Sequence, residues 1–436
     1  MICIRKTVFS ILSNFSRCQR PAIMNEQLII KNFGPIKEAA VNFKKVTVFI
    51  GPTGGGKSTL AKLVSIFRDV DFYISEYGPL DLLQFYGIES YFEKNSEIKF
   101  NRDRYGLKLK RNSVTYDKVT RQIINSYTKL TTKAFNERSK ERVPSLVDSI
   151  HSAAKQAGLD NSGVDDIMNN IYPIVEQVIQ DTSREMMKII FSKMFLYTHP
   201  AYIPSERMFV SALNNSWAGL MRDDIGLPQS LLAFVNNFSQ FRSSIGKLEL
   251  PMFNVNYIHK DGEDLIEIKG SEKKLSLHET ASGIQATAPL LVLIEYLSRN
   301  VEEVQSFIVE EPELNLYPVA QHDFIKWLVQ KCCLGNNDLT ITTHSPYILA
   351  SCNLLMEAYK VWQQRPELEM EIDKIVPRAS WINPDNFAAY YVDKEVVSIK
   401  DDRTNLIGGN HLDDVSGSIS DAFRKLLRLK KQRDNA

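Results

Sequence analysis

The stretch Gly51–Thr59, GPTGGGKST, limits what this chain can fold into more than any other. It follows KKVTVFI and precedes LAKLVSIF. The first run is β-branched and apolar, as a buried parallel strand should be. After the glycines, Leu60, Leu63, Val64 and Phe67 recur at helical spacing. Strand, glycine loop and helix together form the setting that a phosphate-binding loop requires. Gly51, Gly54, Gly55 and Gly56, with Pro52 and Thr53 between them, let the backbone curl around phosphates. The helix N-terminus then faces the anion. Lys57 is expected to reach the β- and γ-phosphates of ATP, and Ser58, followed by Thr59, to hold Mg²⁺. The bland alternative is a glycine-rich turn in an unrelated α/β chain.

Binding alone does not establish hydrolysis, which needs acids at the same sheet edge. VQSFIVEEPELNLYP supplies them: Phe307, Ile308 and Val309 lead into Glu310 and Glu311. An apolar strand of this kind delivers both carboxylates to the C-terminal edge, where ligands bind in parallel sheets. Glu310 is expected in the Mg²⁺ shell, and Glu311 is expected to polarise the attacking water. An acidic pair opening a helix at Pro312 is the competing reading. A third apolar run, LTITTHSPYILA, ends at His344, placed where a γ-phosphate sensor would sit. A histidine at a strand end is otherwise a structural residue.

Taken in this order, the segments resemble the ABC-type ATPase heads of the SMC, DNA-repair and OLD ("overcoming lysogenization defect") class. They look most like its compact bacterial AAA-type, OLD-like members, many of them linked to anti-phage defence. LIIKNFGPIKEAAVNFKKVTVFIGPTGGGKSTL is similar to their first hairpin and Walker A loop. FIVEEPELNLYP resembles their Walker B strand and D-loop, and TITTHSPYIL their switch-histidine strand. LSLHETASGIQATAPLL resembles their degenerate signature motif. The resemblance implies an α/β fold: an ABC/SMC-type P-loop NTPase head with an antiparallel β subdomain and a helical insertion. It also implies a homodimer or higher homo-oligomer, in which Ser282 and Gly283, supported by Gln285, contact the γ-phosphate held by the other subunit's Lys57. Without the resemblance, ETASG is a helix cap. Arg207, in YIPSERMFV, is expected to sense phosphate or tie the lobes together; Gln84 is a weaker candidate for a glutamine loop.

The expected organisation has five parts: an extension at 1–23, a first core segment at 24–118, a helical insertion at 119–198, a second core segment at 199–350, and strands with a basic helix at 351–436. A signal peptide is the alternative for the extension. Segments around 97–118 and 248–277 read as short strands with turns, the latter with a turn at Asp261-Gly262. The insertion lacks the sustained heptads of a coiled-coil arm. The final segment is too short for the Toprim nuclease of larger OLD proteins, so no intrinsic nuclease is expected.

Charge is balanced, 53 basic against 52 acidic residues, so composition alone gives no support for a nucleic-acid partner. No apolar run reaches the ~20 residues that span a bilayer. The 5 cysteines are scattered and match no metal pattern, which fits a reducing cytoplasm. The leading expectation is an ATP-driven switch controlling a separate effector, a toxin or nuclease, in anti-phage defence. A nucleotide-gated scaffold with little turnover and a DNA-repair-like, DNA-binding ATPase are the alternatives.

Overall fold

The computed structural model describes residues 25–74, 79–125 except 104, 112 and 123, 200–212, 226–300 except 272, 304–408, and Arg424. The expected extension (1–23), residues 126–198 of the expected insertion, and the basic terminal helix apart from Arg424 lie outside the described residues.

Along the chain come β1 (Glu26–Phe33), β2 (Ile36–Phe43), β3 (Val46–Ile50) and helix α1 (Lys57–Arg68). Next are β4 (Phe92–Arg102), β5 (Tyr105–Lys110), β6 (Ser113–Tyr116), β7 (Ala201–Ile203) and α2 (Gln229–Ile245). Strands β8 (Lys247–Leu250), β9 (Val255–Lys260), β10 (Glu263–Ile268) and β11 (Lys274–Ser276) precede α3 (Ser282–Ser298). The main elements that follow are β12 (Ser306–Glu310), α4 (Pro318–Cys332), β13 (Asp338–Thr343), α5 (Pro346–Gln364), β14 (Phe387–Asp393) and β15 (Glu395–Ser398).

Among the described residues the main sheet has 11 strands in the order β6-β5-β4-β1-β2-β15-β14-β3-β13-β12-β7. Strands β14, β3, β13, β12 and β7 are mutually parallel, while β6 to β2 form an antiparallel wing. Strands β8 to β11 make a separate four-stranded antiparallel sheet, with the Asp261-Gly262 turn between β9 and β10. Together they form an α/β P-loop NTPase architecture with antiparallel additions.

The parallel strands are buried on both faces, which is why they read as continuous apolar runs. Successive side chains alternate between two cores. Val46, Val48, Ile50, Phe307, Val309, Leu339 and Ile341 face the core shared with α2 to α5. Phe49 and Ile308 face the core shared with α1 and the antiparallel wing. Leu60, Leu63, Val64 and Phe67 of α1 all enter that second core, as their spacing implies.

Strands β14 and β15, read from sequence only as a pair near the C-terminus, sit inside the main sheet. Strand β14 flanks β3 directly, with Tyr391 opposite Ile50, and β15 meets β2 at Glu395 and Glu38. The chain's late residues therefore complete the sheet around its first half.

Candidate active site

The parallel register brings four strand ends to one edge: Ile203, Glu310, Thr343 and Ile50. The glycine loop leaves β3 there and turns into α1. Gly55 N donates to Pro52 O at 3.2 Å, closing the turn. Pro52, Thr53 and Gly54 are exposed, whereas Gly51, Gly55 and Gly56 are buried. A Cβ on Gly51 would lie 2.2 Å from the Val392 carbonyl oxygen, and one on Gly55 would lie 2.4 Å from it. The β14 end thus seats the loop, and the loop has no room for side chains on that side. The N-cap of α1 is Gly56, with no side-chain cap, so its first amides are left for a ligand.

Lys57 is 5 % exposed, and its ammonium donates to the carbonyls of Gly51 at 2.9 Å and Pro52 at 2.8 Å. Burial lowers its pKa, while Glu311, Glu313 and Glu310 act to raise it. Ser58 Oγ donates to Glu310 Oε2 at 3.1 Å, and Tyr202 OH donates to Glu310 Oε1 at 2.8 Å. Burial pushes the Glu310 carboxyl above its ordinary range. Glu311 lies one residue past the end of β12, with φ 44°, its amide bonded to Thr342 O at 2.8 Å. That left-handed kink turns its side chain back to the edge, where His344 Nε2 stands 3.4 Å from Glu311 Oε1. The segment does not open a helix at Pro312; helix α4 begins at Pro318.

Arg207 is fully buried. It donates to the carbonyls of Glu310 and Glu311, each at 2.6 Å, to Pro204 O at 3.1 Å and to Ala286 O at 3.0 Å. Burial lowers its pKa to about 10, opposed by the nearby glutamates. Of its two expected roles, these contacts perform the tie: the end of β12 is bound to helix α3. Gln84 is exposed on the short helix Pro79–Phe85.

At the start of α3, Ser282 is exposed and Gly283 is buried. A Cβ on Gly283 would meet Asn315 O at 2.7 Å, so the loop after Glu311 packs directly on this helix. Gln285 binds its own chain, donating to His278 O at 2.9 Å and Thr280 O at 2.7 Å and accepting from Ser211. It holds the turn that presents Ser282.

The donor set at Ser58 and Glu310, one hydroxyl beside one carboxylate, fits a hard divalent cation such as Mg²⁺. Among the described residues no group of three or more His, Cys, Asp and Glu could cage a metal. A cation here would be held by Ser58 and Glu310 and would supply positive charge beside the glycine loop.

A family model for an AAA ATPase domain matches residues 24–349. The chain belongs to this ATPase family. As an AAA ATPase it binds and hydrolyses nucleotide. No curated protein matches it in sequence. Solved structures similar to this ATPase include the Smc head domain with an extended coiled coil bound to the C-terminal domain of ScpA, from Pyrococcus furiosus. It is 13 % identical, with a TM-score of 0.34, over 86 % of this chain and 96 % of that one. The SmcHead bound to the C-winged helix domain of ScpA is 11 % identical, with a TM-score of 0.37, over 87 % and 98 %. The SMC head domain from Thermotoga maritima is 10 % identical, with a TM-score of 0.33, over 86 % and 98 %. Among the described residues of the ATPase, no helix is long and apolar enough to cross a membrane.

Sequence reading of the site missed Tyr202, Glu313 and Val392. Tyr202 sits in AYIPSER and Glu313 in EEPEL, and neither carries a signal beyond its strand or loop. Val392 acts through its backbone oxygen, which no side-chain pattern reveals.

Proposed function

We propose that this ATPase is a Mg²⁺-dependent switch in which two heads close over two ATP molecules. The observation that carries the reading is one sheet edge holding Lys57, the Ser58–Glu310 pair and the Glu311–His344 pair. In this reading Gly51 to Gly56 and the amides of α1 cradle the phosphates, and Lys57 leaves the loop carbonyls to neutralise them. Ser58 and Glu310 hold Mg²⁺, which supplies charge neutralisation at the β- and γ-phosphates. Glu311 accepts a hydrogen bond from the attacking water and orients it in line, and His344 fixes the carboxylate and the γ-phosphate oxygen. Acceleration comes from positioning and from preset charge.

Pairing is supported by the rim. Exposed Ser282, Met208, Phe209, Tyr317, Val319 and Tyr347 lie on the segments that border the site. Exposed apolar side chains on such segments suit a protein surface that closes over them. Ser282 then reaches the γ-phosphate bound by the second copy. Closure pulls on α3, and Arg207 carries the movement to Glu310 and Glu311. The output acts on a separate effector protein, the anti-phage role being what the resemblance implies.

The test is phosphate release with and without Mg²⁺, beside the mass of the intact assembly with ATP. The reading expects metal-dependent release and an ATP-dependent doubling of mass in Glu311→Gln. Metal-independent release, or a species of constant mass in every nucleotide state, contradicts it.

A further inference from the structure

The loop between β12 and α4 holds a third acid that the proposed chemistry does not use. Glu313 accepts two hydrogen bonds on one oxygen: from Thr343 Oγ1 at 2.6 Å and from the backbone amide of His344 at 2.7 Å. Its other oxygen, Oε2, is buried and has no hydrogen-bond partner among the described residues. Burial pushes the Glu313 carboxyl above its ordinary range, opposed by these two hydrogen bonds.

The bonds around Glu313 close into a ring. Thr343 Oγ1 accepts from Ser345 N at 2.9 Å, and Ser345 Oγ donates to Gln321 Oε1 at 2.5 Å. Gln321 Nε2 returns to Leu316 O at 2.9 Å, in the same loop as Glu313. Glu311 N bonds Thr342 O at the loop's other end. The loop carrying Glu311 and the turn carrying His344 are thereby joined as one body. The imidazole is 35 % exposed, so its place beside Glu311 is set from its backbone, which Glu313 grips.

We propose that Glu313 is a positioning residue for hydrolysis, holding His344 in register with Glu311. The inference deepens the proposed function and rests on its roles for His344 and Glu311. The full chain should be compared as Glu313→Ala, Glu313→Gln, His344→Ala and the Glu313→Ala/His344→Ala double variant. The readouts are kcat, ATP affinity, and hydrogen exchange at the His344 amide without nucleotide.

Glu313→Ala should lower kcat about tenfold to a hundredfold at unchanged ATP affinity, and should unprotect the His344 amide. Glu313→Gln, whose amide oxygen accepts the same two bonds, should keep most of the rate. The double variant should be no slower than His344→Ala, since residues acting as a unit are not additive. If Glu313→Ala does not fold, Glu313→Asp, too short to reach both donors, replaces it in the cycle. Effects that multiply in the double variant, a wild-type rate in Glu313→Ala, equal loss in Gln and Ala, or an amide still protected, each overturn the inference. A wild-type rate in His344→Ala instead removes the histidine's role in the proposed function.

Discussion

Helix α1 carries a buried cation at each end, Lys57 and Arg68, and the two sheet edges they meet are built differently. At one edge Arg68 binds Glu26 at 2.7 Å, Asp338 at 2.6 Å and Ser306 at 2.8 Å, with Arg102 on the far oxygen of Glu26 at 3.5 Å. Cation meets anion directly. At the other edge, Lys57 and Arg207 are bonded to neutral carbonyls and Glu310 to neutral hydroxyls. Charges of opposite sign are near one another yet separately held. A matched cluster fastens the elements and offers nothing to a ligand. Ions bonded to neutral partners keep their fields available to whatever enters between them, which is how preset electrostatics acts on a reaction.

The largest effect should come from breaking the matched edge. Arg68→Ala leaves Glu26 and Asp338 buried without that partner, and denaturant unfolding should show a loss of about 3–5 kcal/mol. The ATP turnover of the remaining folded protein should stay near wild type. A small loss would mean that the edge is more solvated than its geometry implies.

Next in size is Glu311→Gln, which should lower turnover about 10²–10³-fold while leaving the unfolding midpoint almost unmoved. The glycine loop sharpens the contrast within the reactive edge. Gly55→Ala forces the loop off Val392 O and should abolish ATP binding. Gly54 has nothing among the described residues within 4 Å of a built Cβ and φ +78°, so Gly54→Ala should cost only the left-handed strain of about 1 kcal/mol. Isothermal titration of the two variants distinguishes close packing from conformational strain.

The smallest effect has the opposite sign. Burial raises the Glu310 pKa, so folding favours its proton, and above that pKa the carboxylate costs the nucleotide-free protein stability. Glu310→Gln should therefore raise the midpoint at neutral pH by a few degrees while removing Mg²⁺-dependent turnover. A lowered midpoint would mean that Glu310 is a net fastener, like the acids at the opposite edge.

What could be read in advance follows from how each feature is written in the chain. The loop, the acidic strand and the His344 strand are contiguous, and a buried parallel strand announces itself as an apolar run. Arg207 was legible as a candidate, but its destination at Glu310 and Glu311 lies across more than a hundred residues of chain. The FAAYYVD run was legible as a strand, yet an apolar run does not name its neighbours. Only the fold shows that β14 lies beside β3 and lends Val392 O to the loop. Glu313 was passed over because its partners, Thr343 and His344, sit on a different strand end.

The most direct measurement is ATP binding and single-turnover cleavage in Lys57→Ala and Glu311→Gln beside the wild type, with Mg²⁺ present. The account predicts that Lys57→Ala loses affinity, whereas Glu311→Gln binds ATP as tightly as wild type and fails to cleave it. Cleavage at the wild-type rate by Glu311→Gln would contradict the assignment of this sheet edge as the place where water is activated.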